Sequence, residues 1–169
     1  EKYSIEKIKT IGDAYMAVCG IPKESNTHPI QCVLAAFNMV SYLEKRKETA
    51  KIKWEMRVGI HSGPLVAGVV GTKKFTYDVW GDTVNTASRM ESNGAPGRIN
   101  VSANTFNLVK DYFDTEYRGK LAAKGKGEID MYFVVNPKES ERYLNVRNFV
   151  IGKLKNELPP NLFYHGLHH

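Results

Sequence analysis

Apolar residues recur along this 169-residue chain at two spacings, and these predict strands and helices in an irregular order. β-rich runs predict strands over residues 4–10 and 14–19, joined by a hairpin turn at Gly12-Asp13. Apolar side chains spaced three or four residues apart predict an amphipathic helix over residues 30–47, with Pro29 in its first turn. The chain therefore opens with a β-hairpin followed by a long helix.

The following segment predicts a second hairpin, with strands over residues 53–61 and 65–70 around Ser62-Gly63-Pro64. A short strand over residues 76–80 leads to a helix that begins at Asp82 as N-cap and ends near Ser92, with Val84, Ala87 and Met90 facing inward. The later predicted elements are a strand at 99–102, a helix at 103–111, strands at 113–121 and 129–135, and an amphipathic helix at 138–158. This mixture without βαβα alternation predicts the α+β class.

Composition narrows the class of protein. The chain has 42% hydrophobic and 25% charged residues, which is typical of a soluble globular domain. No apolar run approaches the ~20 residues of a membrane helix, and the two cysteines suit a reducing compartment, so we expect a cytoplasmic domain. The net charge of +6 comes from scattered lysines without interleaved aromatic residues, so nucleic acid is not expected as a partner. A nucleic-acid-binding α+β domain remains a rival interpretation.

Two segments carry the candidate chemistry. Lys9 and Asp13 lie in E-K-I-K-T-I-G-D-A-Y-M, while Asp78, Asn85 and Arg89 lie in Y-D-V-W-G-D-T-V-N-T-A-S-R. A nucleoside triphosphate site needs a metal ligand, polar groups for the base and fixed positive charge for the transition state. Taken one at a time, these residues have ordinary structural explanations that are at least as good as a role in nucleotide binding. Asp13 fits a turn aspartate, Lys9 and Asp78 fit a surface ion pair, and Asn85 and Arg89 fit a solvated helix face.

As a set, these segments resemble the catalytic domain of class III nucleotidyl cyclases, the adenylyl and guanylyl cyclase family. The matching stretches lie within residues 7–20, 56–71, 75–91, 97–102 and 124–134. The resemblance implies a ferredoxin-like βαββαβ core with additional strands, over residues 1–136, followed by a C-terminal amphipathic helix and tail over 137–169. The family's opening strand, F-x-D-I-x-G-F-T with its first metal aspartate, is not found in this sequence.

The resemblance also implies a role for each site residue. Asp13 would be a ligand of the two divalent ions, Mg²⁺ or Mn²⁺, that the family uses. Lys9 and Asp78 would read the base, as the adenine set; guanylyl cyclases usually carry glutamate and cysteine there. The remaining assignments are Val79 to the base through its carbonyl, Asn85 to the ribose, Arg89 to the α-phosphate, and Lys124, in K-G-K-G-E, to the β- and γ-phosphates.

The implied activity is an adenylyl cyclase that converts ATP to 3′,5′-cyclic AMP and pyrophosphate, in a site shared by two copies of the chain arranged head to tail. Two rivals remain open, a guanylyl cyclase and a regulatory or dimerisation module without turnover. The missing first aspartate favours the module for this segment alone. Near the end, Tyr164, His165 and His169 resemble the opening of an HD-type phosphohydrolase domain. The alternatives are a tag remnant or a disordered tail, and the disordered tail is the favoured interpretation.

Overall fold

The computed structural model of the protein describes residues 3–123 and 127–157. The predicted α+β class is confirmed, since strands and helices alternate irregularly. Their bounds are β1 Ile5–Ile11, β2 Ala14–Cys19, α1 His28–Lys47, β3 Val58–Ile60, β4 Val66–Val70, β5 Thr76–Trp80, α2 Asp82–Ser92, β6 Ile99–Ser102, α3 Ala103–Val109, β7 Phe113–Ala123, β8 Gly127–Pro137 and α4 Glu141–Glu157.

A four-stranded sheet with the order β3-β6-β8-β7 forms the centre of the molecule, and two separate two-stranded ribbons, β1-β2 and β4-β5, accompany it. Strand β3 runs parallel to β6, with Val58 opposite Ile99. A parallel pair needs a long crossover connection, and here it contains the ribbon β4-β5 and helix α2. The crossover therefore holds α2 against the four-stranded sheet.

The predicted hairpin around Ser62-Gly63-Pro64 is wrong. Strand β4 pairs with β5 and β3 pairs with β6, and β3 is only three residues long. Ser62 is buried, and its hydroxyl accepts a hydrogen bond from the Thr105 hydroxyl at 3.1 Å. The chain after β3 is thus anchored to α3, and it does not turn back along its own strand.

The hydrophobic core lies between α1 and the four-stranded sheet. Phe113, which is 1% exposed, stacks on Phe37 of α1 at 5.9 Å between ring centroids and contacts Tyr143 of α4 edge-on at 5.8 Å. Burial of aromatic rings contributes strongly to core stability, so this contact joins three elements. The other buried members of the cluster are Ile30, Val33, Leu34, Ala36, Ile99, Val101, Val109 and Val134.

Helix α4 packs on this core through its apolar side. Tyr143 and Val150 are buried and Val146 is half-buried, at the spacing of three and four residues that the sequence predicted. The HD-like residues Tyr164, His165 and His169 lie outside the described residues, so that prediction stays a prediction. In the described part of the chain, no helix combines the length and the apolar character that a bilayer crossing requires.

Candidate active site

Lys9 and Asp78 are in contact. Lys9 Nζ lies 2.6 Å from Asp78 Oδ2, with side-chain exposures of 39% and 14%. The two residues belong to different ribbons, since Lys9 is in β1 and Asp78 is in β5. The contact therefore joins two separate ribbons by a charge-assisted hydrogen bond.

A bulge in β1 accounts for the direction of the Lys9 side chain. Lys7 pairs with Ala17 and Lys9 pairs with Met16, so Ile8 is an extra residue on its strand. A bulge breaks the strict alternation of side chains and re-aims its neighbours. Ile8 and Lys9 are consecutive and both half-buried, whereas Lys7 and Thr10 are exposed. The irregular register thus turns Lys9 toward β5.

Asp78 is held by two donors. Its Oδ2 accepts from Lys9, and its Oδ1 accepts from the backbone N–H of Val79 at 2.8 Å. These hydrogen bonds, that from Lys9 above all, lower the pKa of the Asp78 carboxyl below its ordinary value. Val79 itself is buried, at 3% exposed. The carboxylate is therefore ionised and fixed in orientation at neutral pH.

Helix α2 begins one residue earlier than the sequence predicted, and Asp82 as its N-cap is wrong. Gly81 is the N-cap, with φ 132° and ψ 170°, and Asp82 is in the first turn of the helix. The backbone conformation at residue 81 is open to glycine and strained for other residues. A carboxylate in the first turn still interacts favourably with the positive end of the helix dipole.

Close packing fixes α2 on the sheet. A Cβ atom added to Gly59 of β3 would lie 2.0 Å from the backbone nitrogen of Glu91, so helix and strand approach each other at a distance that only glycine permits. On the neighbouring strand, the fully buried Asn100 donates from Nδ2 to the Met90 carbonyl at 2.8 Å. These contacts set the position of the turn of α2 that carries Arg89.

Asn85 and Arg89 lie four residues apart on α2, which places them on one side of the helix. Asn85 is exposed and Arg89 is half-buried. The Arg89 carbonyl accepts from both the backbone and the side-chain nitrogen of Asn93, each at 3.0 Å, which ends the helix. Of the three residues predicted to face inward, Met90 is fully buried, whereas Val84 and Ala87 are only half-buried. The other buried residues of α2 are Thr83 and Thr86.

The buried threonines explain the difference. The Thr83 hydroxyl donates to the Pro64 carbonyl, so this polar residue is satisfied where it packs against the loop after β3. A polar residue with such a partner can occupy an inward position that a hydrophobicity pattern assigns to its apolar neighbour.

Asp13 occupies the two-residue turn between β1 and β2, since Ile11 pairs with Ala14. Gly12 has φ 60°, as the first central residue of a type II′ turn requires. Asp13 is exposed. No group of three or more His, Cys, Asp or Glu side chains in the described residues could hold a metal ion. A single turn carboxylate still suits Mg²⁺, which keeps several waters and takes its other ligands from phosphates.

Lys124 lies outside the described residues, so its predicted role on the phosphates stays a prediction. The sequence reasoning missed Gly59 and Asn100 as positioning residues. The available signals were a glycine inside the strand V-G-I and an amide inside the apolar strand I-N-V-S. It also missed the hydrogen bond between His61 Nδ1 and Ser102 Oγ, at 2.6 Å, which joins the ends of β3 and β6.

Comparison with known proteins identifies the family of this chain. The family model of the adenylate and guanylate cyclase catalytic domain matches residues 1–136. An adenylate cyclase of Mycobacterium tuberculosis is 39% identical over 138 residues, which are 82% of this chain and 31% of that enzyme. The chain thus spans under a third of the length of this relative.

Two solved structures extend the likeness to the fold. The guanylate cyclase domain of RhGC from Catenaria anguillulae, in complex with GTP, superposes with a TM-score of 0.74 at 35% identity, covering 81% of this chain and 75% of that one. A dimeric guanylyl cyclase domain of the RhoGC fusion protein from Blastocladiella emersonii gives a TM-score of 0.68 at 33% identity, with coverages of 81% and 75%.

The fold is that of nucleotidyl cyclase catalytic domains. The chain belongs to the adenylate and guanylate cyclase catalytic-domain family. The predicted family and fold are confirmed. Relatives of both nucleotide specificities are found, an adenylate cyclase among the proteins and guanylate cyclase domains among the structures.

Proposed function

We propose that the protein carrying this domain is an adenylyl cyclase, which converts ATP to 3′,5′-cyclic AMP and pyrophosphate. The observation that carries the proposal is the contact between Lys9 Nζ and Asp78 Oδ2 at 2.6 Å. It supplies one strong donor and one strong acceptor side by side, which is the pair that the edge of a purine base requires.

The two side chains keep hydrogen-bonding capacity for a ligand. The Lys9 ammonium has three donors and uses one on Asp78, while the two Asp78 oxygens each have two lone pairs and each accepts one hydrogen bond, from Lys9 or from the Val79 N–H. Adenine offers an acceptor at N1 beside an amino donor at N6. Lys9 would donate to N1 and Asp78 would accept from the amino group, without losing their contact with each other.

Guanylyl cyclase is the second candidate function. Guanine offers an acceptor at O6 beside a donor at N1, so it also matches one donor and one acceptor but in the reverse order along its edge. The Catenaria domain, whose structure contains GTP, is 35% identical to this chain. We assign ATP because Lys9 and Asp78 match, in residue type and position, the pair that reads adenine in the family.

The reacting groups would be positioned from helix α2. The 3′-hydroxyl oxygen forms a bond to the α-phosphorus, its proton leaves, and the bond from this phosphorus to the β-phosphate oxygen breaks. Asn85 would hold the ribose, and Arg89, half-buried on the same side of α2, would donate to the α-phosphate oxygens as their charge shifts. Val79 would meet the base through its carbonyl, and Lys124 would hold the outer phosphates.

Divalent ions, Mg²⁺ or Mn²⁺, form part of the proposal, with two ions per site. When bound, they would lower the pKa of the hydroxyl and neutralise the triphosphate. From this chain, Asp13 would contribute one carboxylate ligand from the fixed hairpin turn.

The partner in the proposal is a second copy of the chain, arranged head to tail. Ribbon β4-β5 and the connection between its strands expose apolar side chains in the isolated chain: Val66 67%, Val69 61%, Val70 50% and Phe75 75% exposed. Exposed apolar patches mark interaction surfaces. The related Blastocladiella domain forms a non-canonical dimer in its crystal, which supports self-association of such domains and not the head-to-tail arrangement itself. We place this assembly in the cytoplasm, where ATP is available.

The test is to incubate the full-length protein with ATP or GTP and Mn²⁺ or Mg²⁺, and to identify the products by mass spectrometry. We expect cyclic AMP and pyrophosphate, with kcat/KM higher for ATP than for GTP. A higher value for GTP would overturn the base assignment only. A folded dimer that forms neither cyclic nucleotide would favour the regulatory-module alternative, which the single carboxylate at Asp13 supports.

A further inference from the structure

The strand that carries Asp78 also carries an aromatic side chain on the same face. Every second residue of a strand lies on one face, so Asp78 and Trp80 of β5 share a face. Asp78 pairs with Gly68 of β4, and Trp80 pairs with Val66. Residues paired across an antiparallel ladder also lie on one face of the ribbon. Asp78 and Trp80 are therefore neighbours on one side of ribbon β4-β5, with Gly68 diagonally opposite Trp80.

The Trp80 indole leans across the ribbon toward Gly68. A Cβ atom added to Gly68 would lie 3.5 Å from Cζ3 of the indole, an ordinary van der Waals distance. Because Gly68 is the residue directly opposite Asp78, the six-membered ring lies beside the carboxylate that bonds Lys9. Gly68 has no side chain to stand between them. This arrangement puts a flat apolar surface next to the donor and acceptor pair.

Part of this ring is open to a ligand. Trp80 is 40% exposed, although its Cζ3 packs beside Gly68. An indole that covers a strand glycine has a structural use, because it shields backbone that glycine leaves open. That use needs one edge of the ring and leaves the rest at the surface. The exposed part lies on the face of the ribbon at which Lys9 meets Asp78.

We infer that Trp80 binds the purine base by stacking against its face, while Lys9 and Asp78 bind its edge. This inference rests on the proposed function, because it assigns a further residue to the same nucleotide site. A planar base that is held only along its edge leaves its faces to water. Sites for such ligands are lined mainly by apolar and aromatic side chains, with a few polar groups that fix orientation. Trp80 supplies the aromatic surface, and the ion pair supplies the polar groups.

Stacking and edge recognition have different consequences for the kinetics. Lys9 and Asp78 distinguish adenine from guanine, whereas stacking tolerates either base because every base has a π face. The contact with Trp80 is the same before and during the reaction, so its loss raises KM and leaves kcat unchanged. We expect Trp80→Ala to raise KM for ATP and for GTP by one common factor of about fivefold or more. The ratio of kcat/KM for the two nucleotides should stay as in wild type.

The kinetic test compares Trp80→Ala, Trp80→Phe and Trp54→Ala in the full-length protein, with ATP or GTP and Mn²⁺. Trp80→Phe keeps an aromatic face and should recover most of the loss in KM. Trp54 is 68% exposed, outside ribbon β4-β5, and its variant is the matched control. An unchanged KM in folded Trp80→Ala would overturn the inference. So would a raised KM that returns to the wild-type value at protein concentrations that restore the dimer, because Trp80 would then act on association.

A binding test separates this inference from the cyclase proposal. The probes are 3′-deoxy-ATP and 3′-deoxy-GTP with Mn²⁺, which lack the attacking hydroxyl and so bind without reacting. We expect both to quench tryptophan fluorescence in wild type and in Trp54→Phe, and the quenching to be lost in Trp80→Phe. Cyclic product from wild type without this loss would overturn stacking and leave the cyclase proposal intact. The expected loss without any cyclic product would overturn the cyclase proposal alone, and failure of both probes to bind would overturn the two together.

Discussion

Lys9 Nζ and Asp78 Oδ2 are 2.6 Å apart although the two residues are separated by 69 positions in the sequence. One stands at a bulge in β1 and the other at a regular position of β5, opposite Gly68. The bulge and the pairing of β4 with β5 must both form before this contact exists. The Lys9–Asp78 contact therefore depends on the positions of both ribbons.

The first prediction concerns the titration of Asp78. Because the hydrogen bond from Lys9 lowers the pKa of this carboxyl, we expect Lys9→Met to raise it toward the ordinary value of about 3.9. Carbon-13 NMR of the Asp78 carboxyl measures the shift. Lys23→Met, in an exposed loop, is the matched control and should leave the pKa of Asp78 unchanged.

The same shift predicts how folding stability depends on pH. A carboxyl whose pKa is lowered on folding stabilises the native state fully above its unfolded pKa, and this contribution is lost as pH falls through the lowered folded pKa. The advantage of wild type over Lys9→Met in unfolding free energy should thus shrink as pH falls below about 4. Urea titrations at several pH values measure it, and an advantage that does not change with pH would contradict the cause assigned here.

The second prediction concerns nucleotide choice. Lys9→Glu combined with Asp78→Cys reverses the donor and acceptor offered to the base. We expect the ratio of kcat/KM for GTP over ATP to rise at least about tenfold, which corresponds to about 1.4 kcal/mol. Steady-state kinetics of the full-length protein measures this ratio. Lys23→Met, in an exposed loop, lowers the net charge by one unit, as the double substitution does, and should leave the ratio unchanged.

The third prediction concerns Arg89. If its guanidinium stabilises charge on the α-phosphate in the transition state, Arg89→Ala should lower kcat by about 10²-fold or more, with a modest change in KM. Arg118→Ala on β7, whose guanidinium lies over the Phe133 ring, is the control and should retain activity. An effect confined to KM would remove Arg89 from its role in the transition state.

The fourth prediction concerns the packing of α2. In Gly59→Ala the new methyl group would meet the backbone of Glu91 at 2.0 Å, so helix or strand must move. We expect a loss of about 1–3 kcal/mol in unfolding free energy, as is usual for overpacking. Gly152→Ala is the matched control, because its Cβ would meet no atom within 4 Å and a helical position gains about 0.5–1 kcal/mol. Equal stability changes in both variants would contradict the close approach.

The fifth prediction concerns self-association. Phe75→Ser removes a ring that is 75% exposed on ribbon β4-β5, and we expect the dissociation constant of the dimer to rise at least about tenfold. Analytical ultracentrifugation measures it. Leu108→Ser removes an apolar side chain that is 50% exposed on α3, and it should leave association unchanged. Equal effects of both would argue against the ribbon as the interface.

The spacing of apolar residues predicted most of the strands and helices, because each of them has one side on which apolar residues recur. Strands β2, β5 and β6 have the predicted bounds, and α1 begins two residues before its predicted start. The prediction of strand pairing was wrong for β3. This strand pairs in parallel with β6, which is far away in the sequence, and a local sequence pattern does not indicate such a partner. The N-cap of α2 failed for a related reason: aspartate is a common cap, but the backbone at residue 81 demands glycine.

For the site, the sequence predicted which residues carry charge and the structure shows how two of them meet. Lys9 and Asp78 were predicted as one recognition pair, and they are in contact. The roles of all the site residues stay predictions, because nucleotide, ions and a second subunit must be present to test them; these residues are Lys9, Asp13, Asp78, Val79, Asn85, Arg89 and Lys124. Asn100 escaped notice because a buried amide in a strand becomes meaningful only once its partner, the Met90 carbonyl, is known.

The two residues proposed to select the base stand on narrow two-stranded ribbons, whereas the main core lies on the four-stranded sheet. Substitution at either position therefore leaves the main contributors to folding untouched. Exchanging these two side chains is therefore expected to change folding stability little.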